Sequence, residues 1–245
     1  MFRLFEPGLQ PTLRDVLMQM IVTSDNTATD IAIARVGGVD RVNGWLLANG
    51  FGGALRLNMT TADLFAKYAA LQQGALRNEK ANSDRAYWLG EMMPRATGRL
   101  LEQIQRCADG SDRTPPLAAR ATCTEMIRLL RAQQAGARRL PHFINVPIAH
   151  KTGDFPPVLA NDVGILFTRS GPVVVALFAL EVTALAVATR EVSQTSRAAD
   201  LLRLLERVEG AMRVVNAASA AAAVQASSSS SEGSCGLIVC CAIRV

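Results

Sequence analysis

The sequence predicts an α+β fold in which helices fill the first 140 residues and a three-stranded antiparallel meander follows. Three observations predict it. Apolar residues recur at helical spacing from Leu13 to Leu130. After Pro141 the pattern changes to short β-branched runs. Gly or Pro separates the segments on either side of that change.

Thr12 precedes "LRDVLMQMIV", whose apolar residues at 13, 16, 17, 20 and 21 line one helical face. A second helix starts just after Asn26 and ends at Gly37-Gly38, a C-cap signal. A third runs from about Asp40 to Ala48 and stops at Gly50. Thr60-Thr61 opens the amphipathic "ADLFAKYAALQQG", closed by Gly74. Residues 77–113 read as helical pieces joined by polar loops. Pro115-Pro116 starts a long helix through "MIRLLRAQQAG". "VPIAHKTG", "NDVGILFTRSG" and "PVVVALFALEV" then read as three successive strands, and "REVSQTSRAADLLRLLERVE" returns to helix. Two segments result: a folded domain over 1–209 and an Ala/Ser-rich tail over 210–245, expected to be disordered.

Composition excludes several classes. Half the residues are hydrophobic (49%), enough for a substantial core. The net charge of +5 is carried almost wholly by scattered Arg, with no basic run or aromatic-basic module, so no nucleic acid is expected as a partner. Arg128, Arg131, Arg138 and Arg139 read as the solvated face of a helix and its exit. Five cysteines without regular spacing suggest neither a metal site nor a disulfide framework. No apolar run is long enough to span a membrane as a helix. "MFRLFEPGLQP" lacks the apolar stretch of a signal peptide.

Chemistry concentrates in two places. Ser24, Asp25 and Asn26 stand in a row at the junction of the first two helices. Capping alone would explain such residues, because their oxygens accept orphan helix N–H groups. Lys151, Thr152 and Gly153 lie on the first predicted strand. A cation, a hydroxyl and a residue without a side chain suit the capture of a carboxylate at a strand edge. Lys-Thr-Gly is a weak signal by itself. In this order, with Ser-Asp-Asn at a helix junction, the pair is specific.

On these motifs the chain, from about residue 11 to 209, resembles the class A β-lactamases and, more broadly, the penicillin-recognising serine hydrolases. The resemblance implies a β-lactamase/transpeptidase-like fold and hydrolysis of a β-lactam or related amide, with no cofactor and no metal. It implies that Ser24 relays a proton to the leaving nitrogen, that Asn26 holds the substrate's side-chain amide, and that Asp25 braces the turn. Lys151 would supply positive potential, Thr152 would bind the substrate carboxylate, Gly153 would leave room, and the Asp154 N–H would be half of an oxyanion hole. Secretion or a periplasmic home is expected for the family.

The pattern departs from that family in three ways. No Ser-x-x-Lys exists, because Leu64, Arg77 and Ile148 stand three residues before the lysines. The nucleophile is therefore expected to be missing and the chain inactive, as an N-terminally incomplete copy. The omega-loop base is also not visible. In "GGALRLNMTT", Asn58 matches the family's Asn, but Ala54 stands at the Glu position, leaving Glu91 or Glu102 as substitutes. The loop reads as shortened and 77–113 as an insertion. Finally, the Asp154 carboxylate beside Lys151 is expected to point outward or to repel an anionic substrate. Two alternatives to a lactamase stay open: a slowly deacylating penicillin-binding protein and a non-catalytic carboxylate binder. Without N-terminal partner strands, "PVVVALFAL" is expected to present an open apolar edge, so the chain is expected to be a monomer or aggregation-prone.

Overall fold

Thr12 starts helix α1 (Leu13–Val22) through a capping box: its hydroxyl accepts the Asp15 N–H and the Asp15 carboxylate accepts the Thr12 N–H. The polar triplet then breaks the helix, and α2 (Asn26–Arg35) and α3 (Val39–Ala48) follow, close to the bounds expected from sequence. The computed structural model describes residues 8–71, 74–111, 117–137, 139–155, 159–180, 184–190 and 239–244. The helix expected over 190–209 lies outside them except for Arg190, which is in a strand.

Two short strands, β1 (Leu55–Leu57) and β2 (Gly90–Met92), pair antiparallel with Arg56 opposite Glu91. That pairing turns residues 58–89 into a closed excursion holding α4 (Thr61–Ala69), α5 (Gly74–Ser83) and a 3-10 turn (Arg85–Tyr87). The expectation of a shortened loop followed by an insertion over 77–113 is thereby corrected. The excursion is 58–89, and the helix after it, α6 (Pro94–Asp109), belongs to the core. The reason lies in the faces. On α6, Thr97, Gly98, Leu101 and Gln105 are buried on one stripe, whereas α4 buries Thr61, Leu64 and Tyr68 and packs on α2.

The three expected strands form as β3 (Ile148–Phe155), β4 (Leu159–Thr168) and β5 (Gly171–Leu180), an antiparallel meander. Alternation gives the sheet two apolar faces. Ala149, Ile165 and Val174 face Leu101 of α6 and Ile127 and Leu130 of α7 (Arg120–Arg131). Leu166, Val173, Val175 and Leu177 face Leu140 and Ile144, beside the short α8 (Leu140–Phe143).

Two findings differ from expectation. Cys107 and Cys123, read from sequence as isolated, form a disulfide that joins α6 to α7. The two cysteines stand 16 positions apart and meet where α6 packs on α7 (Arg120–Arg131), which spacing along the chain does not reveal. Val239–Arg244, expected within a disordered tail, forms strand β7. It pairs with Val173–Val175 of β5, while β6 (Ala184–Arg190) pairs with Ala176–Leu180. The expected open edge of β5 is thus covered. An apolar edge with unpaired N–H and C=O groups attracts any apolar segment able to extend.

Candidate active site

The first wall is the α1–α2 turn. Asp25 caps α2, its carboxylate accepting the Ala28 N–H at 2.8 Å, while its own N–H donates to the Gln19 carbonyl at 3.1 Å. Between these anchors Ser24 is forced to φ 55°, the one non-glycine positive φ among the described residues. That conformation is costly for a residue with a Cβ, and such strain gathers at functional sites. It turns the Ser24 hydroxyl toward β3.

The second wall is β3. Lys151 shares a strand face with Ala149 and so points to the helical side. Its ammonium meets the Ser24 hydroxyl and donates to the Thr152 carbonyl at 2.6 Å. Burial lowers the Lys151 pKa from the ordinary lysine value of 10.5, with Asp154 and Asp162 acting in the opposite sense. The two motifs, whose Ser24 and Lys151 are 127 positions apart in sequence, are thus in direct contact.

The loop after α7 holds the walls in register. Gln133 donates to the Ile21 carbonyl and Gln134 to that of Val22, at 2.8 and 2.9 Å. The same loop brings Gly136 so close to Thr152 that a Cβ there would meet the threonine methyl at 2.3 Å. Thr152 is only 7% exposed and stands on the strand face opposite Lys151. The expectation that hydroxyl and ammonium line one carboxylate cradle therefore needs correcting, because strict alternation separates them. Gly153 is open, with nothing within 4 Å of an added Cβ.

Asp154 points outward, as one of the two expected outcomes had it, and is neutralised by Arg139 at 3.0 Å. Behind the strand, His150 (3% exposed) pairs through Nδ1 with Asp162 at 2.8 Å, and Asp162 also accepts the Leu140 N–H at 3.1 Å. Burial pushes the Asp162 carboxyl up against the opposing pull of His150.

The third side is α4. Asp30 of α2 accepts from the Thr61 N–H, the Thr61 hydroxyl and the Ala62 N–H at 2.8, 2.7 and 2.8 Å. The Thr61 hydroxyl also lies 3.2 Å from the Asn26 carbonyl. At its other end, α4 stacks Tyr68 on Phe155 of β3, centroids 5.0 Å apart. One helix thus ties both walls together. A cavity of about 940 Å³ lies between the turn, α2 and α4, lined by Ser24, Asp25, Asn26, Thr27, Asp30 and Phe65 among others, with no residue of β3 in its lining. Asn26 is exposed at its rim.

This geometry also corrects the omega-loop reading. Ala54 accepts from the Met93 N–H, and Asn58 donates to the Leu89 and Trp88 carbonyls, so both brace the β1–β2 pair. The segment against Asn26 is Thr60–Phe65, and Thr61 stands there instead of a carboxylate. Glu91 is ion-paired with Arg85, and Glu102 with Arg106. Sequence reasoning missed Asp30, Thr61 and Arg139. Only Asp30 left a trace, as an acid one helical turn after Asn26.

A family model described as the Beta-lactamase enzyme family matches residues 1–207. No curated protein matches. Among solved structures, a class A β-lactamase from Bacteroides cellulosilyticus DSM 14838 is similar at 21% identity and TM-score 0.57, covering 86% of this chain and 67% of its own. TLA-3 extended-spectrum β-lactamase is similar at 18% identity and TM-score 0.56, covering 71% and 57%. At those identities the likeness shows the fold alone. A β-lactamase from Sphaerobacter thermophilus DSM 20745 reaches 25% identity and TM-score 0.54, covering 73% and 58%. This chain spans between 57 and 67% of those proteins' lengths. With the Ser-Asp-Asn turn meeting the Lys-Thr-Gly strand through Ser24 and Lys151 and the family match spanning most of its length, the chain belongs to the β-lactamase enzyme family.

Proposed function

We propose that this chain is the substrate-binding part of a class A β-lactamase-like serine hydrolase, acting on a β-lactam or related amide. The observation that carries the reading is the Lys151 ammonium meeting the Ser24 hydroxyl. Lys151 attracts the substrate carboxylate, Ser24 offers a hydroxyl to the departing nitrogen, and Asn26 takes the side-chain amide at the rim. The Asp154 N–H belongs to the oxyanion hole and Asp25 holds the turn. Asp154 does not repel the substrate, because Arg139 balances it. The Cys107–Cys123 disulfide supports an oxidising compartment, in keeping with a secreted or periplasmic home.

A second reading is a slowly deacylating acyl-enzyme former. It is favoured by the carboxylates of the cleft: Asp25 is committed to the α2 cap and Asp30 to Thr61 and Ala62. Neither is placed to activate water. Equilibrium binding of a penicillin to the 245-residue chain tests the family reading. Binding weakened about tenfold or more by Lys151→Ala is expected, since a charge-assisted contact contributes about 1.5–3 kcal/mol. Equal affinity of the two proteins removes the cradle. Binding without turnover places the chain among non-catalytic carboxylate binders.

A further inference from the structure

Behind β3, on the face turned away from Lys151, His150 and Asp162 form a buried hydrogen-bonded pair that the chemistry proposed above does not use. We propose that Asp162 is a positioning residue for the site: its carboxylate fixes the segment that joins both walls and places a negative charge behind β3 that steadies the Lys151 ammonium. This deepens the reading of Lys151 as the cation that binds a substrate carboxylate, and it rests on that reading.

The pair is built into the sheet. His150 lies opposite Gly164, and Thr152 lies opposite Asp162. An added Cβ at Gly164 would stand 2.8 Å from both the His150 Cβ and the Ala149 carbonyl oxygen. Glycine there leaves the ring room to reach diagonally to Asp162. The His150 Nδ1 is 2.8 Å from one Asp162 oxygen, and the Leu140 N–H donates to the other at 3.1 Å. With the ring proton on Nδ1, both oxygens accept, which is the pattern of an ionised carboxylate. Asp162 has no exposed surface, and a charge so buried is costly once a partner is lost.

Those partners reach both walls. The segment after α7 begins on the first wall, where Gln133 and Gln134 donate to the Ile21 and Val22 carbonyls just ahead of Ser24. It continues past Thr152 at Gly136 and past Asp154 at Arg139. It then places the Leu140 N–H on Asp162. Asp162 is thus the buried anchor of a strap that ties the Ser24 turn to the Lys151 strand.

The charge acts as well as the bond. Burial favours the neutral amine at Lys151, and Asp154 and Asp162 oppose it. Asp154 is exposed and shares its charge with Arg139. Asp162 is shut off from water, so its field is the less screened of the two. Burial pushes the Asp162 carboxyl up, while His150, the Leu140 N–H and Arg139 pull it down. Of the elements beside it, β5 carries no titratable residue and α8 brings the exposed His142. On the helical side of β3 the charges are engaged with one another or with the backbone. Glu125 of α7 binds Arg128 and Arg14, Glu102 of α6 binds Arg106, and Arg131 lies over the Phe167 ring. Asp25 caps α2, Asp30 serves Thr61, and Tyr68 of α4 stacks on Phe155.

The test follows the lysines of the full chain by NMR. Lysine occurs only at positions 67, 80 and 151, so isotope-labelled lysine gives one side-chain signal for each, and Lys151→Arg identifies the signal of Lys151. In wild type that signal should titrate below 10.5. In Asp162→Asn, which keeps the shape and loses the charge, the midpoint should fall further. Penicillin affinity, measured over the same pH range, should then be lost at a lower pH than in wild type, because the cation disappears sooner. A packing role alone would weaken binding at every pH and leave the midpoint in place, and that result overturns the inference. If circular dichroism finds Asp162→Asn unfolded, wild type still decides. Its Lys151 signal should take a second, smaller step above pH 3.8, where Asp162 gains its proton, and the step should survive the exposed change Asp154→Asn. A step absent from wild type, or lost in Asp154→Asn, overturns the inference. A chain that shows the shifted midpoint but binds no penicillin keeps the pairing of Asp162 with Lys151 and removes the carboxylate reading.

Discussion

At the scale of single residues, the site is a problem of charge placement. Lys151 and Asp154 are three positions apart on one strand, yet alternation sends them to opposite faces, and each charge finds a different environment. The same logic governs an exposed cluster far from the cleft. The Glu125 carboxyl is held down to about 2 by its bond to Arg128 and, secondarily, to Arg14 of α1. A carboxylate with a lowered folded pKa contributes stability above its unfolded value near 4.5, and that contribution fades as pH falls toward about 2. All three groups are solvent-accessible, so screening keeps the effect small. Glu125→Gln is expected to lower the unfolding temperature slightly at pH 7 and leave it unchanged at pH 2, as read by thermal unfolding at the two pH values.

Among elements, α4 and the α6–α7 pair set the geometry of the cleft. Helix α4 is attached to α2 by the Asp30 carboxylate, which accepts three hydrogen bonds. Asp30→Ala leaves two N–H groups and a hydroxyl in search of partners. A loss of about 2–3 kcal/mol is expected in denaturant unfolding. The same change should also raise proteolytic sensitivity within residues 58–89 while that of the sheet stays constant. Under β3 and β4, the disulfide between Cys107 and Cys123 closes a loop of sixteen residues between helices that pack on those strands. Replacing both cysteines with Ala should cost about 3 kcal/mol. Chemical denaturation of wild type and double variant measures it. Equal midpoints would mean that helix packing alone holds the pair.

For the whole molecule, the sheet has a covered edge that its own C-terminal segment provides. β7 occupies the Val173–Val175 stretch of β5, with Val174 and Val175 among the most buried side chains of the described residues. A chain shortened to residue 209 would bare that stretch. Light scattering should then find more association than for the full chain, because an unpaired apolar strand edge templates pairing with another copy. A shortened chain that stays monomeric at high concentration would show that β7 is dispensable to the edge.

The sequence by itself determined most of the elements: α1, α2, α3, the Ser-Asp-Asn turn and the meander all follow from short-range rules. Caps, glycines and apolar period act within a few residues, so they are legible along a line. It also singled out Ser24 and Lys151, which the fold brings into contact. Tertiary structure alone decided which helices lie on the sheet, that Cys107 reaches Cys123, that Thr61 stands beside Asn26, and that Thr152 is packed behind Lys151. It also decided that β7 covers β5. Each of these joins residues that are distant in sequence or turns a side chain to one face. Such choices depend on which surfaces fit when the chain closes on itself, and no local pattern encodes that fit.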